Sequence, residues 1–328
     1  MNHVGDAASH ADFEFRIDSS SSFSTNAPRS VPLQLRDQFR QDGFIAFPQV
    51  LENTTVDSLN TELEEILRGR YDRDQRPDKQ PKLIKGLLKK DGGTVGWLGF
   101  SGNLQNVRVL QVINVHKCNS LFRRIETSPR LGQVVAQLAG WKNGARLAQD
   151  QIWAKPPGAA PLAFHRDSPY FMFDPPDVVT VWVALDDMEE ELGPLEYVRG
   201  SHQWGEGRCG SANQFFQSSG GLALLQSAAE RAGVAEFDIV SMAGLKAGGI
   251  SIHDGLTWHG SGKNQSKTKP RRGLGLHFVP ADVKFTKDAA KSRLWRSYVE
   301  DIDDPSKMHI PDEDFPVTWR ASDSTCIR

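Results

Sequence analysis

The segment Ala163-Phe164-His165-Arg166-Asp167-Ser168-Pro169 sets an imidazole and a carboxylate two residues apart. In an extended strand, side chains at i and i+2 leave the same face, so His165 and Asp167 can reach one metal ion. With one further histidine from a distant part of the chain, such a pair makes a two-histidine, one-carboxylate facial set. That set leaves coordination positions open on a non-haem Fe(II). The spacing alone carries little weight, because the same His-x-Asp pattern occurs at His10-Ala11-Asp12, in a serine-rich stretch with no strand around it. We set that second pair aside.

The first pair gains meaning from its company. Downstream lie Trp258-His259-Gly260-Ser261-Gly262-Lys263-Asn264 and then Pro270-Arg271-Arg272-Gly273-Leu274-Gly275-Leu276-His277-Phe278. A histidine at a strand end, followed by an arginine entering the next strand, suits a dicarboxylate co-substrate. A metal would chelate its 2-oxo acid end, and a guanidinium fork would clamp the far carboxylate. Between the two segments, Gly193-Pro194-Leu195-Glu196-Tyr197-Val198-Arg199-Gly200 reads as turn, strand, turn.

Short strands must position these groups. From residue 145 onward, strands are expected at Gln151–Ala154, Val178–Leu185, Leu195–Val198, Gly249–His253 and Leu274–Val279, punctuated by Pro156-Pro157-Gly158, Pro175-Pro176 and Gly248-Gly249. Strands without long helices between them argue for a sandwich or jelly roll. Helices are expected earlier: Leu33, Leu35 and Phe39 fit one face, stopped at Asp42-Gly43 before the apolar run Phe44–Phe47. Asn53-Thr54-Thr55 is read as the cap of a second helix striped by Val56, Leu59, Leu63, Ile66 and Leu67, and Gly132–Gly140 as a third helix. Residues 70–93, rich in Arg and Lys, read as a solvated loop, with a basic wall for an anionic substrate as the alternative. Residues 205–245 read as an insertion with a helix at Leu222–Ala232, and 281–328 as a C-terminal lid or extension.

Composition excludes several classes. The 328 residues carry 39 Lys+Arg against 41 Asp+Glu, a net charge of −2, which favours neither nucleic acid nor an anionic membrane. Cys118, Cys209 and Cys326 are an odd count without CxxC spacing, which argues against a disulfide framework and for an intracellular, cytoplasmic setting. No run is long and apolar enough to span a membrane. Residues 1–30 read as a polar, disordered leader ahead of a single domain over 31–328, whose strand-rich core occupies about 145–280.

Over residues 33–318 the chain resembles the phytanoyl-CoA dioxygenase (PhyH)-type Fe(II)/2-oxoglutarate oxygenases. The resemblance rests on Asp42-Gly43-Phe44-Ile45, Lys155-Pro156-Pro157-Gly158, His165-Arg166-Asp167, Gly193-Pro194-Leu195, His259-Gly260-Ser261-Gly262 and Pro270-Arg271-Arg272. It implies a mainly β chain with flanking helices around a double-stranded β-helix (jelly-roll, cupin-like) core. It implies His165, Asp167 and His259 as metal ligands and catalytic centre, Arg271 with Ser261 beside it on the co-substrate, and Gln151 and Trp182 lining the co-substrate pocket. Fe(II), 2-oxoglutarate and O2 are the implied cofactors, and a small organic molecule (acyl-CoA, amino-acid derivative or secondary metabolite) is the implied substrate. Hydroxylation of a C–H bond with release of succinate and CO2 is the implied reaction. The loop from His259 to Arg271 is one residue longer than the family's common pattern, which makes Arg272 a rival; strand parity with Gly273, Gly275 and His277 favours Arg271. The family's upstream pocket residue falls at Gln111 or Asn114. Desaturation and epoxidation share the same triad, whereas Asp167 fills the position that a halogenase leaves to chloride. A non-catalytic jelly-roll binding protein is the alternative from another class.

Overall fold

The computed structural model describes residues 2–3, 15–17, 30–79, 110–205 and 221–321. In chain order its N-terminal elements are β1 (Asn2–His3), α1 (Leu33–Asp42), β2 (Phe44–Phe47), α2 (Asn53–Leu67), β3 (Leu110–Ile113), α3 (Ser120–Glu126) and α4 (Pro129–Ala139). The strand-rich part follows as β4 (Ala145–Lys155), β5 (Leu162–His165), β6 (Phe173–Asp174), β7 (Val179–Ala184) and β8 (Leu195–Val198). It continues with α5 (Gly221–Arg231), β9 (Ile239–Ser241), β10 (Ile250–Asp254), β11 (His259–Ser261), β12 (Arg271–Pro280), β13 (Lys284–Phe285) and β14 (Val317–Trp319).

Two sheets make the jelly roll. The larger runs β14-β4-β12-β7-β10-β2 with β3 also on β4, and the smaller runs β1-β9-β8-β11-β5. One face of the larger sheet is apolar and packs on the helices. Ile45, Phe47, Val181, Val183, Ile250, Ile252, Ile152, Leu274, Leu276 and Phe278 share one buried cluster with Leu59 and Leu63 of α2, Phe122 of α3 and Val134 of α4. Each strand alternates, so the opposite face carries the residues in between. Across the register, one row on that face reads Phe44, His253, Thr180, His277, Gln149. The next reads Ala46, Ser251, Trp182, Gly275, Gln151. Beyond it, Gly273 pairs with Trp153, and Arg271 with Lys155.

Local sequence accounts for the borders. Gly43 ends α1 in the left-handed region (φ 82) and returns its N–H to Phe39 O at 2.9 Å. The stripe of α2 is buried as its spacing requires, but the cap differs. Glu52 takes the N-cap position without a side-chain bond, and Asn53 is already the first residue of the helix. The short helix α3 was not anticipated; Asn119 caps it by accepting from Leu121 N (3.0 Å) and Phe122 N (3.1 Å). Strand β4 begins six residues before the expected Gln151, because buried polar residues at Arg146, Gln149 and Asp150 hide its pattern.

Within the stretch read as a disordered leader, Phe15 and Ile17 are buried, and Ile17 N donates to Val50 O at 3.1 Å. The leader reading therefore fails for residues 15–17; the rest of it, β1 and Ser30 apart, lies outside the described residues. So do Lys82, Lys85, Lys89 and Lys90 of the basic stretch, and Cys209 and Cys326. Residues 281–321 bring Phe285, Trp295 and Phe315 into one aromatic cluster with Phe171 and Phe173. Lys117 ties this segment to the chain before β3, pairing with Asp314 (2.6 Å) and Asp78 (3.1 Å). Among the described residues, no helix is long and apolar enough to cross a membrane.

Candidate active site

His165 ends β5, His259 begins β11, and the two are register partners in the smaller sheet. Asp167 completes the group, with one ligand atom from each of the three lying within 4.8 Å of the others. The grouping holds, but the strand argument for it does not. β5 stops at His165, and Asp167 has turned to φ −83, ψ −47 at the entry to a short 3-10 turn. What fixes Asp167 is the loop after β10: Asp167 N and Ser168 N both donate to Gly255 O, at 2.8 and 2.9 Å.

Each ligand candidate is oriented by a second contact. His165 Nδ1 lies 2.8 Å from Ala163 O and His259 Nδ1 lies 3.0 Å from Thr257 O. A carbonyl only accepts, so both imidazoles carry their proton on Nδ1 and turn the Nε2 lone pair inward. Asp167 Oδ1 stands 3.8 and 3.7 Å from those Nε2 atoms. Its Oδ2 accepts from Thr180 Oγ1 (2.7 Å) and lies 3.1 Å from His253 Nε2. Burial, with the neighbouring imidazole, pushes His165 down to about 3, and burial pushes His259 down to about 4. Burial alone would raise the Asp167 carboxyl; His259, the His253 hydrogen bond and His277 outweigh it and hold the carboxyl well below the usual range. The group is thus two neutral imidazoles and one carboxylate at neutral pH, the protonation states that bind a divalent metal.

These residues open on a cavity of about 220 Å³. At one end is Arg271, 2% exposed, with its guanidinium carbon 5.5 Å from the Trp182 ring centroid. Its Nε and Nη1 are buried without a hydrogen-bond partner. Burial lowers its pKa from 12.5 to about 10. Lys155, its register partner, is also buried and donates to Ser261 Oγ (2.8 Å), and to the carbonyls of Ser261 (3.4 Å) and Gly262. Burial and the charge of Arg271 push this ammonium well down. Arg272 faces away, where it forms a fork with Asp186 (Nη2 to Oδ1 2.5 Å, Nε to Oδ2 2.9 Å). Gly273 makes room for Trp182, since a Cβ there would stand 2.1 Å from Trp182 Cζ2.

Gln151 and Trp182 both line the cavity, as does Gln111. Asn114 does not; at φ 61 it turns its amide to Asp78 and Tyr298. Ser261 is buried two residues past His259 and is held by Lys155. Sequence reasoning gave no role to His253 or His277, although both stand beside Asp167. His277 shares the strand parity of Arg271, a signal that was available. It also missed Lys155. The remaining wall is aromatic, built by Trp153, Tyr170, Phe171 and Trp295.

A second buried group, His116, Glu126 and Asp150, lies on the helix side of β4. There Asp150 accepts from Val115 N (2.6 Å) and pairs with His116 Nδ1 (2.5 Å), anchoring the turn before α3.

A family model described as phytanoyl-CoA dioxygenase (PhyH) matches residues 39–273. "Dioxygenase cdmA" of Talaromyces verruculosus is 24% identical over 297 residues, covering 84% of this chain and 86% of that protein. The phytanoyl-CoA dioxygenase of Arabidopsis thaliana is 26% identical over 196 residues, covering 58% and 65%. Among solved structures, the non-heme alpha ketoglutarate dependent epimerase SnoN from nogalamycin biosynthesis has a TM-score of 0.61 at 21% identity, over 87% of this chain and 97% of that one. EctD from S. alaskensis, solved with 2-oxoglutarate and 5-hydroxyectoine, has a TM-score of 0.53 at 20% identity, over 82% and 83%. At this identity the structural likeness speaks to the fold.

Proposed function

This chain belongs to the phytanoyl-CoA dioxygenase (PhyH) family, and we propose that it is an Fe(II)- and 2-oxoglutarate-dependent oxygenase that hydroxylates a C–H bond of a small organic substrate. The observation that carries this reading is one cavity with two opposite unmet needs. At one end stand the inward-turned imidazoles and carboxylate of His165, His259 and Asp167. At the other is the buried Arg271, with two N–H groups lacking an acceptor. An unpaired buried charge is costly, so a guanidinium placed there calls for an anion. A molecule with a metal-chelating 2-oxo acid at one end and a carboxylate at the other meets both needs.

In this reading His165, Asp167 and His259 hold the metal, and Arg271 takes the far carboxylate of 2-oxoglutarate as a two-pronged donor. Bound there, iron with 2-oxoglutarate and O2 supplies the oxidising power that attacks the substrate, with succinate and CO2 as by-products. The protein's own work is positional. Lys155 donates to Ser261 Oγ, which leaves the Ser261 O–H to point at the carboxylate. Trp182 walls the co-substrate and keeps water from Arg271. Thr180 and His253 hold Asp167 Oδ2, leaving Oδ1 for the metal. The aromatic wall of Tyr170, Phe171 and Trp295 sheds water from the side that receives substrate.

The test needs no substrate. Purified protein given Fe(II), 2-oxoglutarate and O2 should form succinate slowly, and omission of iron should stop it. A protein that forms no succinate with iron present, and shows no stabilisation by 2-oxoglutarate, is a binding module and not an oxygenase.

A further inference from the structure

Four side chains on the cavity wall form one directed chain of hydrogen bonds. Lys79 Nζ donates to Gln111 Oε1 (2.8 Å), Gln111 Nε2 to Gln151 Oε1 (2.5 Å), and Gln151 Nε2 to Gln149 Oε1 (2.5 Å). All four line the cavity. The direction is dictated by chemistry at one end. An ammonium has donors and no acceptor, so Gln111 must turn its carbonyl to Lys79 and its NH2 to Gln151, and the same constraint passes on to Gln149. Gln149 therefore turns its carbonyl to Gln151 and its NH2 away from it, and no described residue accepts from that NH2. The backbone holds the origin in place: Asp78 N donates to Ile113 O and Ile113 N to Lys79 O, both at 3.0 Å.

The other end reaches the reaction centre. Gln149 is the register partner of His277, whose Nδ1 lies 3.2 Å from Gln149 O and whose Nε2 lies 3.7 Å from Asp167 Oδ2. The Phe171 ring packs on His277 at 5.0 Å, and Trp295 packs on Phe171 at 5.3 Å. A ligand in this half of the cavity thus meets an aromatic wall on one side and an N–H donor at Gln149 on the other.

We propose that Lys79, acting through Gln111 and Gln151, fixes Gln149 as a hydrogen-bond donor, and that the substrate is a ring compound presenting a carbonyl or carboxylate oxygen to it rather than an amine. Lys79 is a positioning residue in this scheme and Gln149 the contact. The proposal rests on the oxygenase reading for what happens to the substrate, but its test reads binding alone.

The probes are 2-naphthoate and 2-(aminomethyl)naphthalene, which share one ring system and differ in the sign of their polar group. Their binding is followed by quenching of tryptophan fluorescence in the anaerobic protein with Fe(II) and saturating 2-oxoglutarate, so that Arg271 is already engaged. Wild type should prefer the carboxylate by about tenfold or more, the scale of one charge-assisted hydrogen bond. Gln149→Leu should erase the preference. Gln111→Leu keeps the lysine but breaks the chain, and should also reduce the preference to within about twofold, where a simple field effect of Lys79 would leave it intact. Lys79→Glu supplies an acceptor at the origin, so every amide turns over and the preference should invert toward the amine. Retained carboxylate preference in Lys79→Glu or in Gln111→Leu overturns the relay. Failure of both probes to bind, or a wild-type preference for the amine, overturns the substrate class. Loss of iron-dependent succinate formation with the binding preference intact would sink the oxygenase reading alone.

Discussion

Replacing Arg271 with Met should stabilise the ligand-free protein while abolishing its response to 2-oxoglutarate. Burial lowers the Arg271 pKa from 12.5 to about 10; at ~1.4 kcal/mol per pH unit, that is roughly 3 kcal/mol of disfavoured charge. The sign follows from linkage. A base whose folded pKa is depressed weakens the fold most where both states carry the proton, and less as rising pH strips it from the folded chain first. Here the penalty is complete below about pH 10 and fades as pH rises toward 12.5. Methionine is of similar length, is apolar, and suits the Trp182 face that Arg271 now covers. Allowing for imperfect repacking, a net gain of about 1–3 kcal/mol should raise the melting temperature by roughly 2–6 °C. Wild type should in turn gain about 2.7 kcal/mol from 2-oxoglutarate at a hundred times its dissociation constant, and the variant nothing. Calorimetric melting at neutral pH, under anaerobic Fe(II), with and without 2-oxoglutarate, measures both effects. A ligand-free Arg271→Met protein that melts below wild type, or one that still gains stability from 2-oxoglutarate, would refute the assignment of an anion site to this guanidinium. Arg272→Lys serves as the control, because Arg272 is committed to Asp186 on the other side of the strand; its response to 2-oxoglutarate should match wild type.

His165→Ala and His259→Ala should each abolish iron-dependent succinate formation with a circular dichroism spectrum unchanged from wild type. Asp167→Gly should end hydroxylation, and retention of the wild-type rate would remove Asp167 from the ligand set. Gly273→Ala and Gly275→Ala make a matched pair. The first Cβ would stand 2.1 Å from Trp182 and the second no closer than 3.7 Å to any neighbour. Calorimetric titration should accordingly show 2-oxoglutarate affinity falling about tenfold or more for the first and holding for the second. Thr180→Val removes one hydrogen bond from Asp167 Oδ2 and should weaken Fe(II) binding about tenfold in a competition titration.

Much of this site was legible in the residues, for reasons that differ by position. Arg271 could be separated from Arg272 by parity alone, because β12 is a regular strand and alternation decides which arginine faces the cavity. Asp167 does come together with the two histidines, but not for the reason its spacing suggests: the strand ends at His165, and the carboxylate arrives by a turn hung on Gly255 O, a contact 88 residues away along the chain that no local pattern encodes. The choice between Gln111 and Asn114 turned on one backbone angle, the positive φ of Asn114. The N-terminal half of β4 was invisible because its inward residues are polar; Gln149 and Gln151 meet each other and Asp150 meets the turn before α3, so alternation in hydropathy vanishes where alternation in direction persists. Strands β8 and β10 were read almost to the residue, since both alternate apolar positions between clear turn signals.

Contacts within the protein orient His165, Asp167 and His259: a carbonyl behind each imidazole, a threonine and a histidine behind the carboxylate, and Gly255 O behind its backbone. A site already organised in this way asks little rearrangement of any ion that enters it. It therefore has little means of rejecting one divalent metal in favour of another by refusing to adapt. Imidazole and carboxylate donors bind Co(II), Ni(II) and Cu(II) more strongly than Fe(II). The same rigidity that would serve the reaction thus leaves the protein open to capture by competing metals. The supply of iron at the moment of loading, rather than the shape of the site, would set the fraction of molecules able to work.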